Sequence, residues 1–387
     1  MYTVCIPSHQ RILGINETAT ILLKELCQAQ VRGETAVQKL ISERLVATGC
    51  LVEEFEYDPA DVKVKGEFAI DQARAKDRRK AIVGTLSGSP QLPSLLVFAH
   101  PDGEMIGDIS QWRHDPFAGS IENGRLFGWG VADDLAGCAA AVAALESIAN
   151  SDKPMGSVIF ASTPSKRHAR GVSALLHNNI TADASLYLHP AESGSGMREI
   201  KAVASGHMEF QIIVKGCPPE TTEPGHTAFS HLAENPIDKA LIIRSALVTL
   251  AEERAKRVRY PQIEALVGRA TNLHVSKITC GDMCRLSRIE DTCILGCAVS
   301  FPPSETINQV KVEIEATIGK AVEADNWLRD HPPQVAWVSG VTGGEVSTDH
   351  PLYQTAAAAI LRITGEEPSN NPMHTSSDIR HPIVEAG

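Results

Sequence analysis

Four short stretches of this sequence hold residue types that could do chemistry together. Phe98-Ala99-His100-Pro101-Asp102 ends an apolar run with a histidine and, two residues on, an aspartate. His-x-Asp suits metal chemistry, because the imidazole ligates while a nearby carboxylate fixes its tautomer and raises its basicity. Gly128-Trp129-Gly130-Val131-Ala132-Asp133-Asp134 brings two acidic residues to the start of an Ala-rich segment. Lys166 and Arg167 follow a second apolar run, and His189 follows a third, with Glu192 three residues beyond it. Acidic residues at a helix start often serve as caps, and Asp134 is taken as one. Asp133, combined with His100, is taken as a metal ligand.

The elements that must position these groups are legible around them. Leu95 to Ala99, Ser157 to Ser162 and Ser185 to Leu188 are short apolar runs of strand length, too short for typical helices. Each ends in polar residues, so three strand ends deliver His100, the Lys166-Arg167 pair and His189 to one edge. In an open α/β sheet, ligands bind beyond the carboxyl ends of the strands. Upstream, about 16–30 and 34–48 have helical apolar spacing, and Leu51 to Tyr57 and Ala81 to Leu86 read as strands. The long polar segment between Gly103 and Gly130 has the length of a functional loop.

From about Ser205 the pattern changes. Strands are predicted at Glu209 to Val214, Asn272 to Thr279, Asp291 to Ser300 and Gln334 to Val338. Helices are predicted at Asn235 to Arg254 and Glu305 to Val322. That β-α-β-β-α-β order is the ferredoxin-like split motif. The fold class is therefore an α/β domain with a mixed central sheet flanked by helices, residues 1–204 plus 341–387, interrupted by an α+β unit over 205–340. A further helix is predicted at Pro351 to Thr364, followed by the polar stretch His374 to Arg380.

Composition narrows the class of function. The 387 residues carry a net charge of −11, so nucleic acid and anionic membrane are not expected partners. No apolar run reaches membrane-spanning length, and Met1 to Pro7 lacks the basic start and apolar core of a signal peptide. Nine scattered cysteines, an odd number, favour reduced thiols and a cytoplasmic location. Cys280, Cys284, Cys293 and Cys297 form two C-x3-C pairs. Metal knuckles usually space their cysteines by two, and Cys293 to Cys297 reads as a buried strand with both thiols on one face.

With these residues in view, the chain resembles the zinc hydrolase family of aminoacylase, acetylornithine deacetylase, succinyl-diaminopimelate desuccinylase and glutamate carboxypeptidase. FAHPD looks like the family's H-x-D, GWGVADD is similar to its G-R-G-x-x-D box, and SDIR resembles a late motif of the catalytic domain. His226 with Asn235-Pro236-Ile237 looks like the second domain's histidine and N-P-I signature. The resemblance implies a homodimer formed through the second, lid-like domain. It also implies two zinc ions sharing one aspartate. Carried over, one zinc would be held by His100, Asp133 and His189, with an open fourth position. The family's Glu-Glu pair, base and second-metal ligand, aligns with Lys166 and Arg167, a cationic pair that would repel a second zinc. The family's last ligand histidine lies beyond SDIR and has no counterpart before Gly387; His374 and His381 are expected at the surface.

The resemblance then implies a metal-dependent hydrolase acting on the amide bond of a small N-acyl amino acid or dipeptide. Asp102, Lys166, Glu192 and His226 are its candidate catalytic residues. Lys166, with a lowered pKa, or Glu192 would be the base, and His226 of the partner subunit would stabilise the oxyanion. Arg167 and Asn235 would bind substrate, the arginine by a bidentate grip on a carboxylate. The alternatives are an amide-forming acyltransferase and a catalytically inactive binding or dimerisation homologue.

Overall fold

The computed structural model describes residues 4–5, 13–151, 155–189, 194–371 and 377–386. Helices Leu13–Ala29 (α1) and Glu34–Ala47 (α2) lead into a first group of strands. In α2 the apolar stripe Val37, Ile41 and Leu45 recurs every fourth residue and is fully buried. Strands follow at Leu51–Tyr57 (β1), Glu67–Ala69 (β2), Arg79–Leu86 (β3) and Leu95–Ala99 (β4). Next come the Ala-rich helix Ala136–Ala149 (α3), strand Val158–Ser162 (β5), helix Gly171–His177 (α4) and strand Ala184–Tyr187 (β6).

The first sheet has the order β1-β3-β5-β4-β6. β1, β3 and β5 are antiparallel neighbours, while β5, β4 and β6 run parallel, with Leu95 opposite both Val158 and Ala184. β4 sits between two parallel strands, which explains why four of its five residues are buried and its sequence is continuously apolar. The mixed sheet matches the expected α/β class. The three parallel strands all end at the same edge.

The second sheet contains Gly206–Lys215 (β7), Asn272–Cys280 (β8), Thr292–Phe301 (β9) and Gln334–Val341 (β10). Helices Pro236–Arg257 (α5) and Ile307–Glu323 (α6) cover it. Its order is β8-β9-β7-β10-β2, antiparallel throughout. Met208, Phe210, Ile212 and Val214 alternate inward on β7 and pack with Ile243, Leu247 and Leu250 of α5 and Val310, Ile314 and Ile318 of α6. Cys293 and Cys297 are buried on one face of β9, in the same core. Pro351–Thr364 forms the last long helix, α7.

Two features depart from expectation. β2, from the first part of the chain, adds a fifth strand to the second sheet by pairing Ala69 with Ser339. A short helix, Pro261–Val267, precedes β8. The first is a three-residue segment and the second a single seven-residue helix, both below the length at which periodicity is informative.

Candidate active site

The site is built where β4, β5 and β6 end. Two glycines let helices press onto those ends. A Cβ on Gly137, at the start of α3, would lie 2.2 Å from the Leu188 carbonyl oxygen. A Cβ on Gly171, at the start of α4, would lie 2.1 Å from Thr163 Oγ1. The chain before α3 is therefore held against the end of β6, which brings Asp133 to His189. His189 Nε2 lies 3.3 Å from Asp133 Oδ1, and the same oxygen accepts a 2.6 Å bond from the Lys166 ammonium.

His100, immediately after β4, is completely buried. Its Nδ1 donates to the Thr163 carbonyl at 2.7 Å, and its Nε2 is 3.2 Å from Asp378 Oδ2. Burial alone would lower its pKa, but the carboxylates of Asp134, Asp378 and Asp102 outweigh that and raise it to about 9. The surrounding carboxylates thus favour the protonated ring. Asp102 does not orient the ring as expected; the Thr163 carbonyl, bound at Nδ1, does. Asp102 instead accepts the backbone N–H groups of Ser165 (3.0 Å) and Lys166 (2.9 Å), pinning the loop after β5.

Asp134 is likewise not a helix cap. Its Oδ1 accepts the His100 backbone N–H at 2.6 Å, and burial together with the charge of Asp133 raises its pKa to about 6. Asp133 moves the opposite way. Burial pushes it up, but His189 and the Lys166 ammonium hold it well below the usual carboxylate range. The reciprocal effect falls on Lys166. Burial would lower its pKa, yet Asp133 raises it, so Lys166 is a fixed cation and not the base expected from a lowered pKa. Its partner is a carboxylate, not another cation.

Arg167 is exposed, with left-handed backbone at φ 56°, followed by His168 at 52° and, two residues on, Arg170 at 58°. Non-glycine residues in that region are uncommon, and three in four positions is the kind of clustering found at functional loops. Asn235 caps α5, its Oδ1 accepting the Ile237 N–H at 3.1 Å, with Pro236 in the first turn. His226 is exposed beside the short turn Thr227–Leu232, and its Nδ1 accepts the Ala228 N–H. Glu192 and His374 lie outside the described residues.

Weaker signals marked the groups behind His100. Asp378, from SDIR, accepts a 2.6 Å bond from Ser165 Oγ and a 3.0 Å bond from Arg380 Nη1. Arg380 Nη2 donates to Glu67 Oε2 at 2.6 Å, and Glu67 also accepts from Arg170 Nε at 2.8 Å. His381 is not at the surface as expected. It is buried, with Nδ1 2.7 Å from Glu385 Oε1 and 2.8 Å from Ser173 Oγ. Lys201, also unforeseen, is lowered by burial to about 8, with Asp133 opposing the shift. Only SDIR carried a motif that could have drawn attention; Glu67 and Lys201 stand in no recognisable pattern.

Zinc on His100, Asp133 and His189 would require those three side chains to converge. Asp133 and His189 do meet, but the His100 Nε2 faces Asp378 and an ammonium holds Asp133. Among the described residues no three His, Cys, Asp or Glu side chains form a group able to hold a metal ion. As arranged, the donors do not fit the ion.

The model of the family described as "Peptidase family M20/M25/M40" matches residues 96–383. Succinyl-diaminopimelate desuccinylase of Phenylobacterium zucineum (strain HLK1) is 27% identical over 307 residues, covering 76% of this chain and 75% of that protein. Among solved structures, an M20 family metallo-carboxypeptidase from Sulfolobus solfataricus superposes with a TM-score of 0.69 at 13% identity, over 97% of this chain and 89% of that one. The aminopeptidase PepT of Bacillus cereus gives 0.64 at 18% identity, over 95% and 88%. At those identities the structures show a common fold. The family match spans the strand ends, the Asp133 turn, β7 to β10 of the second sheet and SDIR, and on it the chain belongs to peptidase family M20/M25/M40, whose members are metal-dependent hydrolases.

Proposed function

We propose that this chain hydrolyses the amide bond of a small N-acyl amino acid or dipeptide at the edge where β4, β5 and β6 end. The observation that carries this is the meeting of Asp133, His189 and the Lys166 ammonium in one cluster beside the buried His100–Asp378 pair. An amide carbonyl oxygen gains negative charge as water attacks it, and a fixed cation aimed at that oxygen stabilises the transition state. Lys166 is such a cation. His189, oriented by Asp133, is the group set to take the proton of the attacking water. Arg167, exposed beside it, would hold a substrate carboxylate, and His226 of a partner subunit would reach the same oxyanion in a homodimer formed through the second sheet. No step passes through a zinc ion, because the donors as placed do not form its site.

A second function, binding such an amide without cleaving it, is favoured by one observation: Asp133 is neutralised by an internal ammonium. Incubating purified protein with N-acetyl and N-succinyl amino acids and dipeptides, with and without a chelator, and measuring released amine separates the two. Amine release that Asp133→Asn abolishes supports the hydrolase. Saturable heat of binding with no amine released from any compound would mean the hydrolase proposal is wrong. The eight cysteines whose side chains are described are free, which supports a cytoplasmic setting.

A further inference from the structure

We infer that Lys166 occupies the place of a metal cation at Asp133, so that this centre is charge-balanced by its own side chain and excludes zinc while the lysine is there. Asp133 Oδ1 faces both the Lys166 Nζ, at 2.6 Å, and the His189 Nε2, at 3.3 Å. An oxygen and an imidazole nitrogen at that separation are spaced like two ligands of one tetrahedral ion, whose bonds are each about 2 Å long. The ammonium sits on the oxygen that such an ion would take.

The lysine is placed by its surroundings. Its own N–H and that of Ser165 are both held by Asp102, and Ser165 Oγ is held by Asp378. Its side chain is only 14% exposed. The Asp133 side chain is itself 39% exposed, and the charge nearest to its Oδ1 is this largely buried ammonium. His100, the third donor a metal would need, is directed elsewhere: its Nε2 lies 3.2 Å from the same Asp378 oxygen that accepts Ser165 Oγ. The loop Thr163 to Lys166 therefore holds Asp133 through its ammonium and fixes the His100 ring through the Thr163 carbonyl at Nδ1, with Nε2 directed to Asp378. Removing the ammonium leaves Asp133 and His189 facing each other. Replacing it with a carboxylate adds a third donor beside them.

The test is zinc content, which does not depend on whether the protein is a hydrolase. Wild type, Lys166→Met and Lys166→Glu are stripped with a chelator, equilibrated with zinc sulfate, passed through a desalting column and assayed by elemental analysis. Circular dichroism checks that each is folded, and Lys166→Met keeps the stem length should Lys166→Glu fail to fold. Wild type is expected to retain far less than one zinc per chain. At least one of the two variants should retain about one, the number a single His, Asp and Glu donor set holds, and Asp133→Asn should remove it in that background. Stoichiometric zinc in wild type that Asp133→Asn abolishes would overturn the inference. So would a folded pair of variants that take up no more zinc than wild type, because Lys166 would then not be what keeps the ion out.

Discussion

The two sheets of this molecule are held together by different physics. In the second sheet, β7 pairs with β9 over ten consecutive residues without a register shift, and its inward face is entirely apolar. On its covering helix α5 the fully buried Arg254 is matched by Glu305 and Glu313. At the parallel edge of the first sheet the buried groups are ions: His100, Asp102, Asp134, Asp378 and Arg380. Apolar burial is non-directional and indifferent to pH, whereas a charge network depends on every partner and on protonation. The second sheet should therefore tolerate acid and resent cavities, and the charged edge should do the reverse.

The largest effect should come from a cavity. Phe210→Ala, at a fully buried position of β7, is expected to cost about 4 kcal/mol. Urea unfolding would show it as a lower midpoint by the same free energy at neutral and mildly acidic pH. A cost that changed strongly with pH would mean the two sheets do not differ as argued.

Glu67, on β2 at the margin of the second sheet, is tied to the charged edge through Arg380 and is the counterpart at the other extreme. Burial pushes its pKa up, but the hydrogen bond from His168 and the charges of Arg380, His168 and His381 outweigh that and hold it far below its ordinary 4.5. A depressed carboxyl pKa stabilises the fold above the unfolded value and is lost as pH falls below it, by up to about 1.4 kcal/mol per pH unit. Stability should therefore fall steadily from about pH 4.5 downward. Glu67→Gln should cost about 3 kcal/mol at neutral pH and flatten the acid limb, since it leaves Arg170 and Arg380 short of a partner. An acid limb as steep in the variant as in the wild type would remove Glu67 as its cause.

Lys166→Met touches the same edge without the deep burial. If amide hydrolysis is found, the variant should lose about 100-fold in kcat with little change in KM, the scale of deleting one oxyanion-stabilising group. A rise in KM at constant kcat would instead make Lys166 a substrate anchor.

How much of this was legible beforehand divides along the same line. β1, β4 and α7 fall at the predicted residues because apolar runs and periodicity report burial directly. The meeting of His189 with Asp133 followed from strand ends sharing an edge. Glu67 was invisible because its strand is three residues long and its partners come from residues 168, 170 and 380. Asp134 looked like a cap because acidic residues at helix starts usually are. The charge state of Lys166 could not be read because pKa depends on which neighbour the fold supplies, and that neighbour is a carboxylate 33 positions away.

The smallest predicted effect sharpens the boundary between the two regions. Asn235 belongs to the second sheet's covering helix, yet its signature suggested a role in substrate binding. In the structure its side chain is engaged as the cap of α5, accepting the Ile237 N–H. Asn235→Ala should then cost about 1 kcal/mol of stability, and Asn235→Asp, which keeps an acceptor oxygen, much less. If capping is its whole role, KM is the same in both variants as in the wild type. If the amide also touches substrate across a dimer, both variants raise KM even though Asn235→Asp keeps the helix capped. A KM that rises only in the alanine variant would point to a loosened helix, placing the residue with the scaffold and leaving substrate recognition to the charged edge.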